Sequence, residues 1–206
     1  AFDGDSDGDS ILDLDAAGVR AHHAAFIRKV VDTVNDLDNV LYEVINEGGT
    51  ADWQAFVVRT VQDYQRTKPR QHLVGITGQG AVNLPAALAS DAQWVSPGSR
   101  DHPGMNLAAY RTLLRGNPPA WHEQKPAVLD TDHFWGHGID PQWPWKSFTR
   151  GYHVLFMDPW SPLPGWMDGP AGSLRALQNT PDFPGYNEGR LAMRNTARVA
   201  AALDLG

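Results

Sequence analysis

Apolar and polar positions along this chain follow two different periods. Over residues 18–37, Val19, His23, Phe26, Ile27, Val30, Val34 and Leu37 recur at i, i+3, i+4 and i+7, which predicts a helix with one buried face. His22 and His23 fall on or beside that face, where packing explains them without a ligand. The stretch Val40-Leu41-Tyr42-Glu43-Val44-Ile45-Asn46-Glu47 is a short apolar run released by Gly48-Gly49, and it predicts a fully buried strand of a parallel sheet. Alternation along a strand places Leu41, Glu43, Ile45 and Glu47 on one face and Tyr42, Val44 and Asn46 on the other. A second helix is predicted over 52–68, with Trp53, Phe56, Val57, Val61 and Tyr64 on one side and Pro69 as its stop. Further strands are expected over 72–77, 92–96, 126–132 and 152–157, and further helices over 106–115, 143–150 and 187–203. Residues 161–186 form a long Pro/Gly-rich loop, of the kind that makes lids and rims.

Five strands separated by helices or long loops predict an α/β fold with a parallel sheet and right-handed crossovers, in a single domain over residues 1–206. Two architectures fit: an open doubly wound sheet, or the C-terminal portion of a (β/α)8 TIM barrel. A helix ahead of the first strand and polar residues at every strand end favour the barrel, which gathers all those ends around one mouth.

The 206 residues are 42% hydrophobic, enough for one sizeable core. A net charge of −7 argues against nucleic-acid or anionic-membrane partners, and no apolar run reaches membrane-spanning length. No signal peptide is recognisable in the sequence, and the absence of cysteine rules out disulfides and thiolate chemistry. Several of the eight tryptophans fall in Pro/Gly-rich segments, where flat aromatic faces stack on sugars or aromatic ligands. In residues 1–15, Asp3-x-Asp5-x-Asp7-Gly8 imitates the opening of a calcium loop, but the twelfth position is Leu14, so a solvated acidic loop is the expectation.

The candidate chemistry lies at two strand ends. Glu47 closes the first strand, although it also reads as a helix N-terminal carboxylate ahead of Asp52 and Trp53. Far downstream, Val128-Leu129-Asp130-Thr131-Asp132-His133 puts Asp130 and Asp132 on one strand face, with Asp132 at the lip. Two carboxylates from different strands at one mouth are what glycoside hydrolysis requires, one protonated to donate and the other ionised to attack or to activate water. Separations of about 5–5.5 Å go with retention, and about 6.5–9.5 Å with inversion.

These residues also carry a resemblance. Val40 through Glu47 resembles the fourth barrel strand of the clan of (β/α)8 retaining glycoside hydrolases that includes the cellulase-like families, in which the Glu of an Asn-Glu pair is the acid/base. Lys125-Pro126-Ala127-Val128-Leu129-Asp130-Thr131-Asp132 resembles that clan's seventh strand, with Thr131-Asp132 in place of Thr-Glu and one extra residue after Pro126. Asp130-Thr131-Asp132-His133, Trp145-Lys146-Ser147-Phe148, Arg150-Gly151 and Phe156-Met157-Asp158-Pro159 resemble a cellulase-like bacterial branch of such barrels. The resemblance spans nearly the whole chain and implies strands 4 to 8 of the barrel, beginning after the third. It implies Glu47 as acid/base and Asp132 as nucleophile, one methylene shorter than the clan's Glu. Asp130 as nucleophile beside Asp132, or an inverting arrangement, are the alternatives.

Other rim residues have weaker cases. Asn46, His133, Trp135, Asp158, Trp160 and Gln79 are candidate substrate contacts, with Trp135 and Trp160 the best stacking platforms. Ser96 could likewise hydrogen-bond substrate. Four of these have a plainer reading: His133 as a packed core histidine, Gln79 and Ser96 finishing their turns, Asp158 capping a turn with Pro159. Trp143 and Trp145, in a helical run, are expected to pack, and Glu43 to be a buried, hydrogen-bonded structural carboxylate. A rival reading makes Asp130, Asp132, His133 and His137 ligands of a metal-dependent TIM-barrel hydrolase. A third is a non-catalytic, carbohydrate-binding barrel. The favoured reading needs no cofactor or metal, takes a carbohydrate as partner, and implies an extracellular or periplasmic setting from substrate class alone.

Overall fold

The computed structural model describes residues 12–45, 48–77, 83–97, 104–131, 134, 139–156 and 186–205. The acidic segment Asp3 to Asp9 and the loop over 161–185 lie outside them. Helices and strands alternate: α1 (Val19–Val34), β1 (Tyr42–Glu43), α2 (Ala51–Gln65), β2 (Val74–Thr77), α3 (Leu84–Ala89), β3 (Trp94–Ser96), α4 (Leu107–Gly116), β4 (Ala127–Asp130), α5 (Trp143–Phe148), β5 (Tyr152–Leu155) and α6 (Tyr186–Ala202). Every strand pairing described is parallel, as expected for an α/β fold. The chain divides into two compact units, Ala1–Leu107 and Ala108–Gly206.

In the first unit β1, β2 and β3 stand in chain order, with Glu43 opposite Gly75, Gly75 opposite Trp94 and Thr77 opposite Ser96. Residues paired in this way point to the same side of a sheet, so Glu43, Gly75, Thr77, Trp94 and Ser96 share one face. Val44 lies on the other, where it lines an apolar cleft with Ile27 of α1 and Val57 of α2. α2 begins at Thr50, whose hydroxyl accepts from Trp53 N at 3.2 Å, and Asp52 in its first turn suits the helix dipole. Trp53, Val57, Val58 and Val61 are buried along it. At the other end of the strands, side-chain amides do the work of a ladder. Gln65 accepts from His72 N at 2.9 Å and donates to His72 O at 2.8 Å, while Asn35 donates to Arg70 O at 2.8 Å. On the surface, Lys68 Nζ lies 2.5 Å from Asp32, and Tyr64 hydroxyl donates to the same carboxylate at 3.0 Å. Together they hold the Asp32 carboxyl below its usual range and tie α1 to the end of α2.

In the second unit β4 and β5 pair from Ala127–Tyr152 to Asp130–Leu155. Ala127, Leu129 and Tyr152 are buried, and Tyr110 and Leu114 are the buried residues of α4. Trp143 of α5 is wholly buried and donates its indole N–H to Leu114 O at 2.7 Å, the packing role expected of it. Among the described residues no helix is long and apolar enough to cross a membrane.

Three expectations change. The run from Val40 was expected to form a fully buried strand; among its described residues only Tyr42–Glu43 has strand geometry, Leu41 is 54% exposed and Glu43 is exposed. An apolar run says that a segment prefers to be covered, not that a neighbour is present on both sides. The first helix ends at Val34, short of Leu37, which is 47% exposed; on α1 Phe26 is 63% exposed, and the buried residues are Val19, Ile27 and Val31. Finally, α3 is a helix that the periodicity did not announce. Asn83 caps it by accepting from Ala86 N at 3.0 Å, and Pro85 sits in its first turn, where no N–H is needed.

Candidate functional site

Parallel sheets present their chemistry at the C-terminal ends of the strands. At the end of β1, Glu43 accepts a hydrogen bond from the Thr77 hydroxyl of β2. This is the partner expected for a structural carboxylate, although Glu43 is exposed rather than buried. Ser96 ends β3 on the same face and is 3% exposed; its Oγ, like the Trp94 indole N–H, has no hydrogen-bond partner among the described residues. Three adjacent strands therefore bring a carboxylate, two hydroxyls and an indole N–H to one face.

Two glycines precede the cap of α2 and form a turn into it. Gly48 and Gly49 take φ of 92° and 77°, the left-handed region that side chains with a Cβ rarely enter. Gln54, from the first turns of α2, donates to Gly48 O at 2.8 Å. A cleft of about 810 Å³ beside this turn is lined by Asp13, Asp15, Asp52, Arg20, Arg59 and Phe56 among others, and the Arg20 guanidinium lies 5.1 Å above the Phe56 ring.

In the second unit, Asp130 closes β4 opposite Leu155 and is partly exposed. It shares its strand face with Val128, as alternation required. Thr131 and Phe134 pack behind the end of β4. Thr131 is fully buried and its carbonyl accepts from Phe134 N at 3.0 Å, while Phe134 meets Trp143 edge-on with ring centres 5.6 Å apart.

Of the candidate residues, the structure describes Asp130 and Ser96. Glu47, Asp132, Asn46, His133, Trp135, His137, Asp158, Trp160 and Gln79 lie outside the described residues. Among those described, no three His, Asp or Glu side chains gather as a metal ion would need. The residues that sequence reasoning missed are those that hold the site's frame: Thr50, Gln54 and Thr77. Gln54 carried a legible signal, because Gln54, Val58, Val61 and Gln65 recur at i, i+4, i+7 and i+11 and all four are buried. No protein-family model, curated protein or solved structure matches this chain.

Proposed function

We propose that the protein is a glycoside hydrolase of the cellulase-like (β/α)8 type, acting on polysaccharides or their oligosaccharides through two carboxylates. The winding of the strands is the observation that carries this reading. β1, β2 and β3 follow chain order without a reversal, and β4 pairs in parallel with the next strand in the chain, β5. Right-handed crossovers repeated in one direction keep their helices on one side of the sheet, the winding of a barrel, whereas a doubly wound sheet reverses its order at a switch point. The face left to the interior would then hold Glu43, Thr77 and Ser96, polar residues that suit a mouth lined for hydroxyl-bearing substrates.

In this reading Glu47 protonates the glycosidic oxygen as it leaves, while Asp132 attacks the anomeric carbon and forms a glycosyl ester. Glu47, now ionised, takes a proton from water, whose oxygen then releases the sugar and regenerates Asp132. Asp130 is the alternative nucleophile. The test is turnover of aryl glycosides by the full-length protein carrying Glu47→Gln, Asp132→Asn or Asp130→Asn. Glu47→Gln and Asp132→Asn should each lower turnover by several orders of magnitude with an unchanged circular dichroism spectrum. Near-native turnover in either removes that residue from the mechanism. Azide should restore activity to the variant lacking the nucleophile, giving a glycosyl azide of inverted configuration, which separates Asp132 from Asp130.

A further inference from the structure

We infer that Gln54 is a positioning residue for Glu47, acting through Gly48, the next residue in the chain; the inference rests on the reading of Glu47 as acid/base. The peptide group that joins Glu47 to Gly48 is the last covalent link between the acid and the turn, so whatever fixes Gly48 fixes one end of the acid's backbone. Gly48 is held from inside the fold. The Gln54 side chain is wholly buried, and its Nε2 donates to Gly48 O at 2.8 Å. The turn leaves little slack on its other side. Gly49 has Trp53 and Gln54 atoms 3.2 and 3.4 Å from where a Cβ would stand, and Thr50 is committed to capping α2.

The other half of the Gln54 amide argues that packing is not its purpose. Gln54 Oε1 is buried with no hydrogen-bond partner among the described residues. A buried acceptor left unpaired is costly, and a leucine or methionine would fill the same space without it. What those residues lack is the donor to Gly48. General-acid catalysis is sensitive to such placement, since displacements of about 1 Å from changes remote from the chemistry can cost about 100-fold in rate.

The experiment compares the full-length wild type with Gln54→Met, Gln54→Glu and Glu47→Gln, using an aryl glycoside that the wild type hydrolyses as the probe. Gln54→Met keeps the length and removes the donor. It should lower kcat by about 10- to 100-fold with little change in KM, and speed backbone amide exchange at residues 48–50. Gln54→Glu should regain activity toward acid pH, where its protonated carboxyl donates to Gly48 O, a pH dependence that a filler of space would not produce. Gln54→Met with wild-type kcat and exchange, or a Gln54→Glu pH profile superimposable on wild type, overturns the inference. If Gln54→Met does not fold, the Gln54→Glu profile alone decides it. Near-native turnover in Glu47→Gln brings down the functional reading and this inference with it; an inactive Glu47→Gln beside a fully active Gln54→Met brings down only the inference.

Discussion

A single hydrogen atom at Gly75 makes room for an indole. Any Cβ built there would collide with the ring of Trp94, which lies across the register from it on β3. Trp94 is 3% exposed, and with its ring seated over β2 it completes the buried part of the face that carries Thr77 and Ser96. Gly75→Ala should therefore cost about 1–3 kcal/mol, the usual range for forcing a methyl into a packed interior. Urea unfolding of the variant measures it, with Gly116→Ala as the control, since nothing stands near a Cβ at Gly116. Equal midpoints for the two variants would show that the indole moves aside freely. Gln54 shows the converse: a polar amide that is wholly enclosed, with only its spacing from Val58 and Val61 to announce it in the sequence.

Elements were easier to read than their surroundings. The long helices α1, α2 and α6 and the strands β2 to β5 lie within a few residues of where apolar spacing places them, because burial of one face leaves a period in the sequence. α3 left none, being six residues long, too short for a helical period to declare itself. Its legible marks were Asn83 and Pro85, a cap and a first-turn proline. β1 shows a different limit. Hydrophobicity located the segment, but exposure of Leu41 and Glu43 depends on what stands beside it, which no residue within the run encodes. The candidate site was legible in the same partial way. Alternation put Asp130 at the end of β4 on the face of Val128, whereas the contacts that brace the neighbouring turns, Gln54 to Gly48 and Thr131 to Phe134, join residues whose meeting depends on backbone geometry.

At the scale of the whole molecule, burial raises phenols in both units, Tyr42 in the first among them, and the larger effect on alkaline stability belongs to the second. In the second, burial pushes the Tyr152 phenol up to about 12 and raises that of Tyr110 further, with the neighbouring Tyr152 adding to the shift. A phenol whose folded value is raised contributes stability that is fully present below its ordinary value of 10.0 and lost as pH climbs through the folded value. Stability of that unit should thus fall between pH 10 and about 12, and Tyr152→Phe should flatten the fall. Denaturation midpoints with a flat profile in the wild type would refute this assignment. The first unit carries a separate consequence in its cleft of about 350 Å³, bordered by Val19, Phe26, Ile27, Val44, Trp53 and Val57. A greasy hollow of that size, open to solvent, is a ready berth for solvatochromic dyes such as anilinonaphthalene sulfonates. Such a probe would already fluoresce on the native protein, and a melting curve built on it would begin bright, so heat-induced unfolding is better followed by far-ultraviolet ellipticity.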